Sequence, residues 1–296
     1  MYPKEKIKTN VMKKLILSIA LLITTSVINA QNQNPFEVKV IGKGEPVILI
    51  PGYSCSGEVW YGTVEQFKNN YQFHIISIAG FGGTKPIQND EILKSVRDAI
   101  IVYTKEKKLK KPMIIGHSLG AFMTLWLHST QPDLFGKSIC VDGLPFVSAV
   151  NNPSAKAEEL KKMPQYDKQA VINNFKNLPD EGYVKNMTAA MKNQVTDTVR
   201  ARKIAEWSYK SDRATLGSTI VEMATTDLRT EISKIKQPIL VLTSLWGTKE
   251  ASEKEYNLQY AELKNKTIKV ANAKHFIMYD TPDWFYNEIG LFLKSK

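Results

Sequence analysis

Apolar residues in this chain follow two rhythms, and the rhythms alternate. Residues 36–41 switch between apolar and polar, as a strand with one face open to solvent does, and Gly42-Lys43-Gly44 turns it. Residues 46–50 form a continuous apolar run, the pattern of a strand covered on both faces. Similar dense runs recur at 74–78, 113–115 and 138–142. Between them lie stretches that read as helices: 58–69, a segment capped by Asn89 or Asp90 that runs to about residue 108, and a segment from 121 to about 130. Strands alternating with helices predict an α/β fold with a mostly parallel central sheet and helices on both faces.

The rhythm changes after residue 143. Residues 144–236 hold little strand-like sequence and read as several helices separated by Pro145, Pro153, Pro164 and Pro179. Met163, Met187, Met191, Met223, Trp207 and Tyr209 scatter large apolar groups through them. The α/β rhythm then resumes, with strands at 238–242 and 267–270 and a helix at 250–263 between them. A last helix opens at Asp280-Thr281-Pro282, a capping side chain followed by proline in the first turn. The expected organisation is a leader at 1–30, a core in two parts at 31–143 and 237–296, and a helical insertion at 144–236. With 43% hydrophobic residues in 296, the chain can bury one sizeable core.

The leader reads as a secretory signal peptide. Lys4, Lys6, Lys8, Lys13 and Lys14 precede an apolar stretch from Leu15 to Ile28, and Asn29-Ala30 offers a small-residue cleavage site before Gln31. Met12 is an alternative start, since Met12-Lys13-Lys14 makes a complete signal by itself. The apolar stretch is short for a bilayer span, so cleavage after Ala30 and a periplasmic or secreted product are expected, without stable membrane insertion. Removing five Lys and one Glu leaves +7 of the formal +11. The densest basic run, residues 105–111, closes a helix, where cations suit the negative end of the dipole. Without interleaved aromatics it does not read as a nucleic-acid patch. Cys55 and Cys140 fall near different strands and are expected as free thiols.

The clearest chemical signal is Gly116-His117-Ser118-Leu119-Gly120, a G-x-S-x-G nucleophile elbow between an expected strand and an expected helix. Such a turn strains the serine backbone and holds its hydroxyl out at the sheet edge. A serine hydroxyl needs a base within reach and donors for the oxyanion. Of the four histidines, His117 lies inside the elbow, and His74 and His128 read as structural. His275 follows the final strand, at the carboxyl edge where sites of open parallel sheets assemble. No cofactor is expected: Gly80-Phe81-Gly82-Gly83 lacks dinucleotide-binding spacing, and no Cys/His cluster has zinc-ligand spacing.

From about Phe36 onward the chain resembles the α/β-hydrolase superfamily. The likeness rests on the elbow, on Pro51-Gly52-Tyr53-Ser54, on Gly80-Phe81-Gly82-Gly83 and on Ala273-Lys274-His275-Phe276. The insertion resembles the helical cap of many members. The resemblance implies Ser118 as nucleophile, His275 as base, and the backbone N–H groups of Tyr53 and Leu119 as oxyanion donors. The family most often carries its acid in the loop after the strand that follows the cap, but residues 243–249 here hold no carboxylate. Asp142 is therefore the favoured acid, because some members carry theirs at that strand end, and Glu250 is the alternative. Tyr53 and Trp246 are candidates to line the pocket. The implied activity is hydrolysis of an ester or lactone, with amides open, of a small to medium, largely apolar small-molecule substrate. A non-catalytic ligand receptor, and a cofactor-free lyase or perhydrolase using the same residues, remain alternatives.

Overall fold

The computed structural model describes residues 34–150 and 152–295, so the expected leader lies outside the described residues. Seven strands form one sheet: β1 Phe36–Gly42, β2 Glu45–Ile50, β3 Tyr71–Ile78, β4 Met113–His117, β5 Ser138–Val141, β6 Ile239–Thr243 and β7 Lys266–Val270. Their order is β1-β3-β2-β4-β5-β6-β7; β1 runs antiparallel to β3 and every other pairing is parallel. The apolar run of β2 shows how one segment serves two cores. Successive side chains point to opposite faces. Ile48 and Ile50 join a cluster with Ile76, Ile114 and Phe122, whereas Val47 and Leu49 join another with Phe73, Ile115 and Val141.

Helices cover both faces. On one lie α2 (Ile92–Glu106), α3 (Leu119–Thr130) and α9 (Lys249–Gln259), which contribute Val96, Phe122 and Tyr256 to the first cluster. On the other lie α1 (Tyr61–Phe67) and α11 (Pro282–Lys294), which contribute Val64 and Phe285 to the second. The helix expected at 58–69 divides into a 3₁₀ turn, Gly57–Trp60, and α1. Between β5 and β6 the chain forms α4 (Ala157–Leu160), α5 (Lys168–Lys176), α6 (Tyr183–Met191), α7 (Thr198–Lys210) and α8 (Arg213–Ala224), with no strand among the described residues. Asp167, Asp197 and Asp212 cap α5, α7 and α8 by accepting from first-turn amides.

Two expected caps are not used as the sequence implied. Asn89 accepts from Glu91 N, before α2 begins, and the first amides of α2 point elsewhere. Ile92 N and Leu93 N each donate at 2.8 Å to the carboxylate of Glu222, on α8 of the insertion. An anion there satisfies orphan donors and suits the positive end of the helix dipole. At the C-terminal end, Asp280 closes a short helix, α10 (Ile277–Asp280), and makes no capping bond to α11.

Both cysteines are free, as expected, and both are buried. His74 and His128 lie within the core, where His128 Nε2 meets Ser138 Oγ at 2.8 Å. Burial pulls His128 down to about 4, from an ordinary 6.5. As pH falls below 6.5, the unfolded chain therefore gains a proton that the folded one refuses. This stability is complete above 6.5 and is lost toward pH 4, at roughly 1.4 kcal/mol per pH unit for one such group. Urea unfolding at pH 7 and pH 5 is expected to show this fall in the wild type, and a smaller fall in His128→Gln.

Candidate active site

β4 delivers the chain into a turn that three backbones share. A Cβ on Gly116 would lie 2.1 Å from Gly120 O, and one on Gly120 would lie 2.1 Å from Ile50 O. Only glycine permits both approaches. Between them Ser118 takes φ 55° and ψ −115°, the strained conformation expected of the elbow. Ser118 N donates to Val141 O at 2.8 Å, tying the turn to β5. The register pairs Ile50 with Gly116, so the loop after β2 lies beside the elbow. β2 and β4 are also the neighbours between which strand order reverses, where open α/β sheets bind ligands.

Ser118 and His275 line the same cavity, of about 290 Å³. Gly52, Tyr53, Ser54 and Cys55 form its wall on the β2 side, and Met187, Met191, Ile204 and Met223 of the insertion face them. Leu119 N begins α3, at the positive end of its dipole. Among the described residues neither Tyr53 N nor Leu119 N donates a backbone hydrogen bond. The Tyr53 hydroxyl donates to Leu216 O of α8 at 2.9 Å, and burial pushes its pKa upward.

Asp142 follows β5 with φ 45° and is buried. Its Oδ2 meets His275 Nδ1 at 2.6 Å and accepts from Ser244 Oγ at 2.8 Å. Its Oδ1 accepts from Ser244 N at 2.7 Å and from the Tyr256 hydroxyl at 2.9 Å. Burial by itself would raise this carboxyl, but the His275 bond and charge, with the two Ser244 bonds, hold it below its ordinary value. The carboxylate is therefore ionised, and His275 Nδ1 is its donor. That leaves Nε2 of His275 as the nitrogen able to take a proton.

His117 supports the same loop from below. Its ring lies 4.6 Å from that of His275, and its Nε2 donates to His275 O at 3.1 Å. The acceptor is a carbonyl, so Nε2 carries the proton. Burial, reinforced by the neighbouring charge of His275, pulls His117 down to about 3, which keeps it neutral at physiological pH.

The structure thus brings Ser118, His275, Asp142, Tyr53 and Leu119 to one edge of the sheet. It leaves Glu250 exposed on the first turn of α9, held by its own backbone amide and Thr248. Trp246 does not line the cavity. Its ring packs 5.5 Å from Tyr256, and its Nε1 donates to Ser244 Oγ at 2.9 Å. Of the apolar insertion residues noted in the sequence, Met163 is exposed, and Trp207 borders a separate cleft with Arg200 and Tyr279. Ser244 and Tyr256 were not anticipated as partners of Asp142. Ser244 had one legible sign, a hydroxyl at the strand end where a carboxylate was sought; Tyr256, inside α9, had none.

The chain matches a family model described as the alpha/beta hydrolase fold over residues 45–282. It is similar to the (E)-2-((N-methylformamido)methylene)succinate hydrolase of Acinetobacter baylyi, at 29% identity over 103 residues, 35% of this chain and 39% of that one. The chain thus spans well under two thirds of that relative. A pimeloyl-[acyl-carrier protein] methyl ester esterase of Aliivibrio fischeri is 21% identical over 257 residues, 86% of this chain and 95% of that one. Among solved structures, the enol-lactonase of Burkholderia xenovorans has the same fold, with a TM-score of 0.71 at 15% identity over 88% of this chain and 96% of that one. The seven-stranded sheet, the elbow at Ser118 and a family match across more than half its length agree: the chain belongs to the α/β-hydrolase fold family.

Proposed function

We propose that this protein is an exported serine hydrolase that cleaves an ester or lactone with a small to medium, largely apolar acyl group. The observation that carries the reading is that Ser118 and His275 share one cavity while Asp142 already holds His275 Nδ1. Ser118 Oγ attacks the acyl carbonyl as His275 Nε2 takes its proton. The oxyanion rests on Tyr53 N–H and Leu119 N–H. Collapse expels the alcohol, which takes the proton from His275, and leaves an acyl-serine. Water then repeats the sequence and releases the acid. Asp142 orients the imidazole and stabilises its charged form.

The substrate class follows from the wall. Met187, Met191, Ile204, Ile220, Met223 and Phe276 make it mainly apolar. Among the described residues no Lys or Arg lines it to recognise a carboxylate. The relatives named for ester or lactone cleavage support the reaction class. Export rests on the leader, read from sequence.

A fluorophosphonate probe is expected to label Ser118 in the folded protein, and Ser118→Ala to lose both labelling and at least about 10⁴-fold of ester turnover. An unlabelled, folded wild type would count against the enzyme reading. Asp142→Asn is expected to lower kcat by roughly 10²- to 10⁴-fold, far more than Glu250→Gln; equal small losses would exclude Asp142 as the acid. Across p-nitrophenyl esters of increasing chain length, kcat/KM should peak at short to medium acyl groups. N-terminal sequencing of protein recovered outside the cytoplasm should begin at Gln31.

A further inference from the structure

His275 sits on a loop whose two flanking amides are both committed. Lys274 N donates to Asp280 Oδ2 at 2.9 Å, and Phe276 N donates to Gln194 O at 3.0 Å. Gln194 belongs to the segment 192–197 that joins α6 to α7 in the insertion. That segment reaches the loop twice more. Thr196 N donates to Asp280 Oδ1 at 2.8 Å, with Thr196 Oγ1 at 3.2 Å from Oδ2. The Lys274 ammonium donates to Lys192 O at 2.6 Å. Asp280 is the common member: one carboxylate takes donors from the histidine loop and from the insertion. It stands at the mouth of α11, yet none of its bonds goes to an amide of that helix. Hydrogen bonds to an ionised carboxylate are the strong kind, so the clasp is stiffer than a neutral turn would be.

We propose that Asp280 is a positioning residue for His275, one that makes the seating of the insertion and the alignment of the imidazole a single event. The proposal rests on the hydrolase reading above. Met191 and Gln194 line the cavity, so whatever presses on the insertion from inside leans on the clasp that holds the base. Asp142 fixes the imidazole from its Nδ1 side and His117 fixes the His275 carbonyl; Asp280 fixes the backbone just before it. A displacement of about an ångström at a catalytic group costs up to roughly 10²-fold in rate, which is the scale on which such a clasp acts.

The test compares the full chain with Asp280→Ala and Asp280→Asn, using p-nitrophenyl acetate and amide hydrogen exchange. Asp280→Ala is expected to lower kcat about tenfold while KM stays within about threefold, because the base is misplaced and the cavity is unchanged. Exchange should quicken together in peptides covering 192–196 and 272–277. Asp280→Asn keeps an oxygen for Thr196 N but turns an NH₂ toward Lys274 N, so an intermediate loss of kcat is expected; it carries the kinetic test if the alanine variant does not fold. A kcat within about twofold of wild type in a folded variant, or exchange that quickens in only one of the two segments, overturns the proposal. A wild type that hydrolyses no ester at all sinks the hydrolase reading instead, and the paired exchange response then judges the clasp by itself.

Discussion

Where β4 turns into α3, Gly120 passes so close to the Ile50 carbonyl that a methyl group would lie 2.1 Å from the oxygen. That contact sets the spacing of the whole carboxyl edge. It draws the β2 loop, which carries Tyr53, against the elbow. It also leaves Ser118 no relaxed conformation, since the chain must reverse within one residue to satisfy both glycines. The strain at Ser118 is held by what surrounds it: its amide donates to Val141 O, and the Ala121 and Phe122 amides donate to its carbonyl.

A buried carboxylate is the second demanding element at this edge. Left unpaired it would destabilise the fold by several kcal/mol. Asp142 avoids this by drawing donors from three separate elements: His275 after β7, Ser244 after β6 and Tyr256 on α9. Trp246 extends the chain by donating to Ser244 Oγ, which fixes the direction in which that hydroxyl can donate. The bonds that keep Asp142 ionised also fix its orientation, so the same contacts that permit burial aim the imidazole.

The parts of this arrangement that were legible in the sequence are those with local signals. The apolar run of β2, the glycine frame of Ser118 and the position of His275 after a final strand each announce themselves within five or six residues. Asp142 and Glu250 could not be separated that way, because the choice depends on which of two strand ends faces His275. Glu222, Asp280 and Tyr256 were illegible for a related reason. Their long-range partners Ile92, Thr196 and Asp142 lie 130, 84 and 114 residues away along the chain, and each reads locally as an ordinary helix residue. Asp280-Thr281-Pro282 has the composition of a capped helix start, and α11 does begin at Pro282, but no side chain caps it. The methionines behaved in a mixed way: Met187, Met191 and Met223 face the cavity, but Met163 faces solvent, and no periodicity distinguishes them.

The Glu222 contact bears on how such a protein can be recombined. An insertion between two strands looks like a detachable module, joined to the core at two chain crossings. Here it also terminates a core helix, because Ile92 N and Leu93 N both donate to its carboxylate. A graft of residues from another family member would inherit that obligation. A foreign insertion lacking an acidic group at this point would leave two buried amides bare and fray the start of α2, however well its own helices packed. The boundary of the exchangeable unit is thus set by a hydrogen-bond acceptor as much as by the strand ends.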